Sequence, residues 1–159
     1  LLHIAGVSRN NKFFSVAFCF LAEETVLFYT WALNCFCSVI LVHKITPPEV
    51  LITDRKIALM NAIENIFPNS THMLCTWHIE NNILKNASRF IKDQDLVQKI
   101  LSHWSNLLKL SSPSKFYSSF SRFSTIYPSD LIAYIKKTWI PLAPWFVNAW
   151  TKKITHFDH

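Results

Sequence analysis

The chain has 159 residues, of which 50% are hydrophobic and 14% aromatic, including 13 Phe and 6 Trp. That excludes an intrinsically disordered segment and is enough for the core of one globular domain. The formal charge of +6 rests wholly on residues 80–159, with 11 basic and 5 acidic side chains against 5 and 5 in residues 1–79, so any polyanion would meet the second half; a merely solvated face gives the same count.

Residues 1–8 and 13–21 read as a β-hairpin turned at Ser8 to Lys12. Phe14, Val16, Phe18 and Phe20 alternate with Ser15, Ala17 and Cys19 at strand period. Glu23 and Glu24 suit the first turn of the next helix, where carboxylates meet the positive dipole end. Residues 25–42 carry no charge, which approaches the length of a membrane span of about 20 residues. Phe28, Trp31, Ala32, Cys35, Phe36, Val39 and Ile40 nevertheless form a stripe at helical spacing, with Thr30, Asn34 and Ser38 off it. This predicts a helix packed on a sheet and no membrane partner. Residues 9–22, basic then apolar, imitate a signal peptide and are read here as strand.

Pro47-Pro48 stops that helix and leads into a strand at 50–53, which releases Asp54. A helix over 56–66 places Ala58, Leu59, Ala62, Ile63 and Ile66 on its apolar face. A strand at 71–75 and a helix at 78–91 follow. After Asp93 the pattern is helical. Val97, Ile100, Leu101, Trp104, Leu107 and Leu108 stripe one helix, and Pro113 opens another bearing Phe116, Phe120 and Phe123. Ser129 caps a third, with Leu131, Ile132, Ile135 and Trp139. The order β-β-α-β-α-β-α, then helices, predicts an α/β core over 1–92 and a helical region over 93–159.

Asp54 draws attention first, because ligands and metals sit beyond the carboxyl ends of strands in open α/β sheets. A carboxylate there suits a divalent cation, and it equally suits the N-cap of the following helix. Cys75 and His78, with Trp77 between them, make a Cys-x-x-His pair without the second pair a zinc site needs. Packing of Cys75 and a backbone bond from His78 explain the pair as well. Arg55 suits phosphate contact or a surface ion pair, and His3 reads as a satisfied structural histidine. Lys136-Lys137 with Trp139, and Trp150 with Lys152-Lys153, alternate cations with aromatics as nucleic-acid surfaces and amphipathic helices both do. Cys19, Cys35, Cys37 and Cys75 have no disulfide-framework spacing, which points to a reducing compartment. The single glycine, Gly6, excludes glycine-rich phosphate loops and dinucleotide fingerprints.

Taken together, several blocks resemble one family. Leu1-Leu2-His3-Ile4-Ala5-Gly6-Val7 is followed by Phe14 to Phe20, Tyr29-Thr30-Trp31-Ala32-Leu33 and Thr53-Asp54-Arg55. Then come Ala58 to Ile63, Phe67-Pro68, Cys75-x-Trp77-His78 and Phe146-Val147-Asn148-Ala149-Trp150. In that order they are similar to the Mutator-like (MULE) transposase domain, shared with plant far-red-impaired-response proteins. The resemblance implies a ribonuclease H-like fold that cuts DNA with three acidic residues and Mg²⁺ or Mn²⁺. Asp54 matches the second acid, as catalytic residue and metal ligand. The first acid is expected on a strand before Leu1 and the third beyond the Trp150 region, so the sheet is expected to be truncated, lacking its first strand, and followed by a helical insertion. The chain is expected to be a fragment of a DNA transposase, inactive and poorly stable alone. A domesticated DNA-binding regulator or a decayed copy is the alternative. Cys75, Trp77 and His78 are expected near the DNA path. Arg55, Lys136, Lys137, Lys152 and Lys153 are candidate DNA contacts. A nuclear location and homo-oligomerisation of the intact parent are further expectations.

Overall fold

The computed structural model describes residues 1–8 and 10–151. Its elements are β1 (Leu2–Val7), β2 (Phe13–Cys19), α1 (Val26–Val42), β3 (Val50–Thr53), α2 (Ile57–Ile66), β4 (Thr71–Leu74), α3 (Thr76–Phe90), α4 (Gln94–Leu108), α5 (Pro113–Ile126), α6 (Ser129–Thr138), a 3-10 segment (Ile140–Trp145) and α7 (Asn148–Thr151). The class is mixed α/β, with helices alone after β4. Two compact units result. One holds Leu1–Leu51 and Lys56–His72; the other holds Ile52–Arg55 and the chain from Met73 onward.

In the first unit, β1 and β2 pair antiparallel, from Leu2 opposite Cys19 to Val7 opposite Phe13, with an irregularity between Ile4 and Ala5. The connecting turn closes with Ser8 N–H donating to the Lys12 carbonyl at 2.9 Å, and Asn11 takes the left-handed conformation that Asn tolerates (φ 54°). Gly6 has a local reason. The Phe14 ring lies across it, so that a Cβ there would sit 2.5 Å from the ring's Cζ. His3 is satisfied as expected: Nε2 lies 2.9 Å from Ser15 Oγ, and the imidazole stacks on Phe18.

Helix α1 begins at Thr25, whose hydroxyl accepts from Phe28 N–H. Glu23 and Glu24 therefore precede the cap and are not in the first turn, and Glu24 forms an ion pair with Lys56 instead. That hydrogen-bonded lysine holds the Glu24 carboxyl below the usual carboxylate range. The buried stripe also differs from the expected one. Tyr29, Ala32, Leu33 and Ile40 are buried, with Phe36 and Cys37 half-buried, whereas Trp31 is 55% and Val39 54% exposed. Both stripes are apolar at helical spacing, so packing and not periodicity chose between them. Against the buried face lie Leu59, Ala62, Ile63 and Phe67 of α2 and its end.

Strands β3 and β4 form their own two-stranded sheet. Thr71 N–H donates to the Glu49 carbonyl at 2.8 Å and Cys75 N–H to the Thr53 carbonyl at 2.7 Å. The partners advance together along both strands, so the pair is parallel, with α2 as the crossover. The expectation of one sheet containing both 13–21 and 50–53 is not met. The hairpin's register satisfies its strands against each other. The four-residue β3 pairs with β4 alone, and among the described residues no strand bridges the two pairs.

In the second unit, α3 to α6 bury Ile79, Ile83, Val97, Ile100, Trp104, Leu107, Phe116, Phe123, Leu131 and Ile135 at no more than 2% exposure. Each such side chain contributes about 1.5–3 kcal/mol of transfer free energy, which is what holds helices of middling propensity together. Asp93 caps α4, its Oδ1 accepting from Asp95 and Leu96 N–H. Pro113 opens α5 as expected. The cap of α6 is Pro128, so Ser129 is its first helical residue and not its cap.

Candidate functional site

Asp54 leaves β3 at its carboxyl end, and the bond from Cys75 N–H to Thr53 holds the start of α3 beside it. Asp54 does not cap α2: the cap position is Lys56, and no side chain bonds there. Instead Asp54 and Arg55 line an open cleft of about 270 Å³ with His78 and Asn82 of α3 and Tyr134, Thr138 and Trp139 at the end of α6. All of these residues belong to the second unit.

Helical spacing makes one wall. His78 and Asn82 lie four residues apart on one face of α3, and Asn82 Nδ2 donates to the His78 carbonyl at 2.8 Å. The opposite wall is fixed by Trp139, which is 2% exposed, packs edge-on to Phe146 and donates from Nε1 to Tyr134 Oη at 3.2 Å. Arg55 lies over this second wall, its Cζ 5.6 Å from the Trp139 ring centroid. A guanidinium over an indole face is attracted by the ring quadrupole and keeps N–H donors free at its rim.

The lining therefore offers one carboxylate, one guanidinium, an imidazole, a carboxamide and two hydroxyls. Among the described residues no three His, Cys, Asp or Glu side chains gather as a metal would require. Mg²⁺ leans on more than one anionic partner, so this donor set does not fit a tightly held cation. It fits an anion better, through Arg55, His78 and Asn82.

The Cys-x-x-His pair separates. Cys75 is the half-buried cap residue of α3 and does not line the cleft, whereas His78 is exposed and does. Trp77 is 65% exposed and meets His78 edge-on at 4.9 Å. Lys136 and Lys137 sit exposed in the last turn of α6. The aromatic partners suggested for the lysines are not surface platforms: Trp139 is buried, and Trp150 packs on Phe116 and Tyr117. Lys152 and Lys153 lie outside the described residues. Reasoning from sequence missed Asn82, Tyr134 and Thr138. The i, i+4 spacings His78/Asn82 and Tyr134/Thr138 were the available signal.

The sequence profile of the MULE transposase domain matches residues 1–82, just over half of the chain. The chain belongs to the MULE transposase domain family. Protein FAR1-RELATED SEQUENCE 4 of Arabidopsis thaliana is 30% identical over 81 residues, 51% of this chain and 11% of that protein. PKS-NRPS hybrid synthetase cheA of Chaetomium globosum is 28% identical over 92 residues, 58% of this chain and 2% of that one. The chain thus spans a small part of each. In this MULE domain the matched stretch supplies Asp54, Arg55, His78 and Asn82, while Tyr134, Thr138 and Trp139 lie beyond it. Among the described residues no helix is long and apolar enough to cross a membrane.

Proposed function

We propose that this domain is a DNA-contacting part of a transposase-derived nuclear protein, and that residues 1–159 bind DNA without cutting it. The observation that carries this reading is the cleft, where Asp54 at the carboxyl end of β3 meets Arg55 and His78 and, among the described residues, no second carboxylate. Arg55 offsets the Asp54 charge and, with His78 and Asn82, offers N–H donors to a phosphate, while the described residues lack the donors to assemble a metal pair. A parallel β3-α2-β4 unit that follows an antiparallel hairpin in the chain supports a ribonuclease H-like ancestry. Asp54 is then the inherited catalytic acid and metal ligand. In an intact parent, Mg²⁺ or Mn²⁺ would need further carboxylates beside it, and self-association is one way to complete such an assembly. Lys136 and Lys137, with the basic excess of residues 80–159, supply the sequence-independent affinity.

The test is a paired assay on the purified chain. Retention of duplex DNA at low salt is expected, with supercoiled plasmid left intact in Mg²⁺ or Mn²⁺. Metal-dependent nicking by the wild-type chain that disappears in Asp54→Ala would overturn the no-cleavage reading. Failure to retain any DNA at low salt would overturn the DNA-contact reading.

A further inference from the structure

A second depression, of about 360 Å³, lies on the other side of the first turn of α3, between α3 and α4. Its chemistry differs from that of the cleft. Trp77, Leu84 and Leu101 give it an apolar floor, and Asn81 and Gln98 bring carboxamides. Glu80 is the only acidic or basic side chain that lines it among the described residues. A carboxylate there repels a phosphate and accepts from a neutral N–H donor. Trp77 leaves a large aromatic face 65% exposed. Its neighbour His78 turns into the Asp54 cleft, so successive residues of α3 serve the two depressions, with the rings 4.9 Å apart.

An aromatic face flanked by carboxamides matches a flat, neutral, hydrogen-bonding ring. Bases stack on tryptophan, and Asn and Gln pair with base edges. Charge is arranged to match. Lys85 follows Asn81 by one helical turn and Lys109 follows Ser105 by one turn, while Arg55 stands in the neighbouring cleft. These cations lie one helical turn beyond lining residues, within reach of a backbone, with Asp95 one turn before Gln98 the nearest anion outside the lining by the same spacing. A base inside a duplex has neither its face nor its pairing edge available.

We propose that the α3–α4 groove holds an unpaired base of single-stranded DNA stacked on Trp77, with the adjoining phosphate at Arg55 and His78. This rests on the DNA-contact reading above and adds to it a strand state and a base subsite.

The experiment is fluorescence anisotropy of the full chain with three oligonucleotides of one length: a single strand, its duplex, and a single strand with abasic sites. Variants are Trp77→Ala, Trp77→Phe and Gln98→Ala. Stacking on one aromatic makes about a tenfold difference in affinity. Trp77→Ala should therefore weaken single-strand binding about tenfold and duplex binding much less, and Trp77→Phe should recover most of the loss. Gln98→Ala should weaken the single strand without touching the abasic strand. The wild type should bind the abasic strand no better than Trp77→Ala binds the intact one. Equal binding of intact and abasic strands by the wild type would overturn the base subsite while leaving the DNA-contact reading standing. So would an equal loss on duplex and single strand in Trp77→Ala. Absence of binding to all three oligonucleotides would overturn both.

Discussion

Trp104 has no exposed surface, and its indole N–H meets no acceptor among the described residues. Its ring is held between Phe123 at 6.2 Å and Phe146 at 6.3 Å. Two terms therefore oppose each other in a substitution. Removing an unsatisfied buried donor returns about 1–3 kcal/mol, while emptying the site to alanine costs about 3–5 kcal/mol. Trp104→Phe should change stability by less than about 2 kcal/mol and Trp104→Ala should lose the larger amount, both read from urea unfolding. His72 makes a second residue-scale prediction. Burial holds its imidazole below the usual value of about 6.5, so the folded chain keeps it neutral where the unfolded chain has already taken a proton. Stability is whole above the unfolded value and falls as pH drops beneath it towards the lowered folded pKa. Between about pH 7.5 and about pH 5.5 the urea midpoint of the wild type should fall further than that of His72→Gln. An equal fall in both would remove the burial argument.

Among the elements, α1 shows how far periodicity reaches. Its existence was legible because the uncharged run 25–42 ahead of Pro47-Pro48 has few other readings, although its start was read a turn early, at Glu23 and Glu24. Its buried face was not, because Trp31 and Val39 are as apolar as Tyr29 and Leu33. In α4 and α5, where polar residues fill the outer faces, the stripes through Val97, Trp104, Phe116 and Phe123 were read correctly. Sheet pairing was the least legible. Strand runs at 13–21 and 50–53 were visible, but nothing local says which strand edges meet. At the site, Asp54 and His78 were visible as residues, whereas the wall at Tyr134, Thr138 and Trp139 depends on the packing of α6. The orientation of α1 can be measured. Cys35 faces outward and Cys37 is half-buried, with burial raising its thiol pKa and so reducing the reactive thiolate. In the native chain a maleimide should label Cys35 well before Cys37, as peptide mass mapping would show; the reverse order would mean the helix is turned. The cap of α4 is a separate test. Asp93→Ala removes two N–H partners and should cost about 1 kcal/mol, while Asp93→Asn should cost much less.

For the whole molecule, charge and apolar exposure set the behaviour in solution. Phe13, Phe18 and Phe20 of the hairpin region are 77%, 59% and 84% exposed, and Leu27 and Val42 of α1 are 75% and 77%. Uncovered apolar faces of this kind drive association, so light scattering should show concentration-dependent self-association of the isolated chain, and Phe18→Lys with Phe20→Lys should reduce it. The net charge of +6 predicts that duplex affinity falls steeply with salt. Replacing Lys136 and Lys137 together by Ala should flatten the slope of log K against log salt by about 1–2 while leaving sequence preference unchanged. An unaltered slope would move the DNA track away from the end of α6.

The two walls of the Asp54 cleft come from stretches of chain far apart in sequence. Asp54, Arg55, His78 and Asn82 fall inside the family-matched segment, and Tyr134, Thr138 and Trp139 fall outside it. Changes in the second stretch would therefore reshape the mouth of the cleft without touching Asp54, and Trp139, on which Arg55 rests, is the residue that ties the two stretches together.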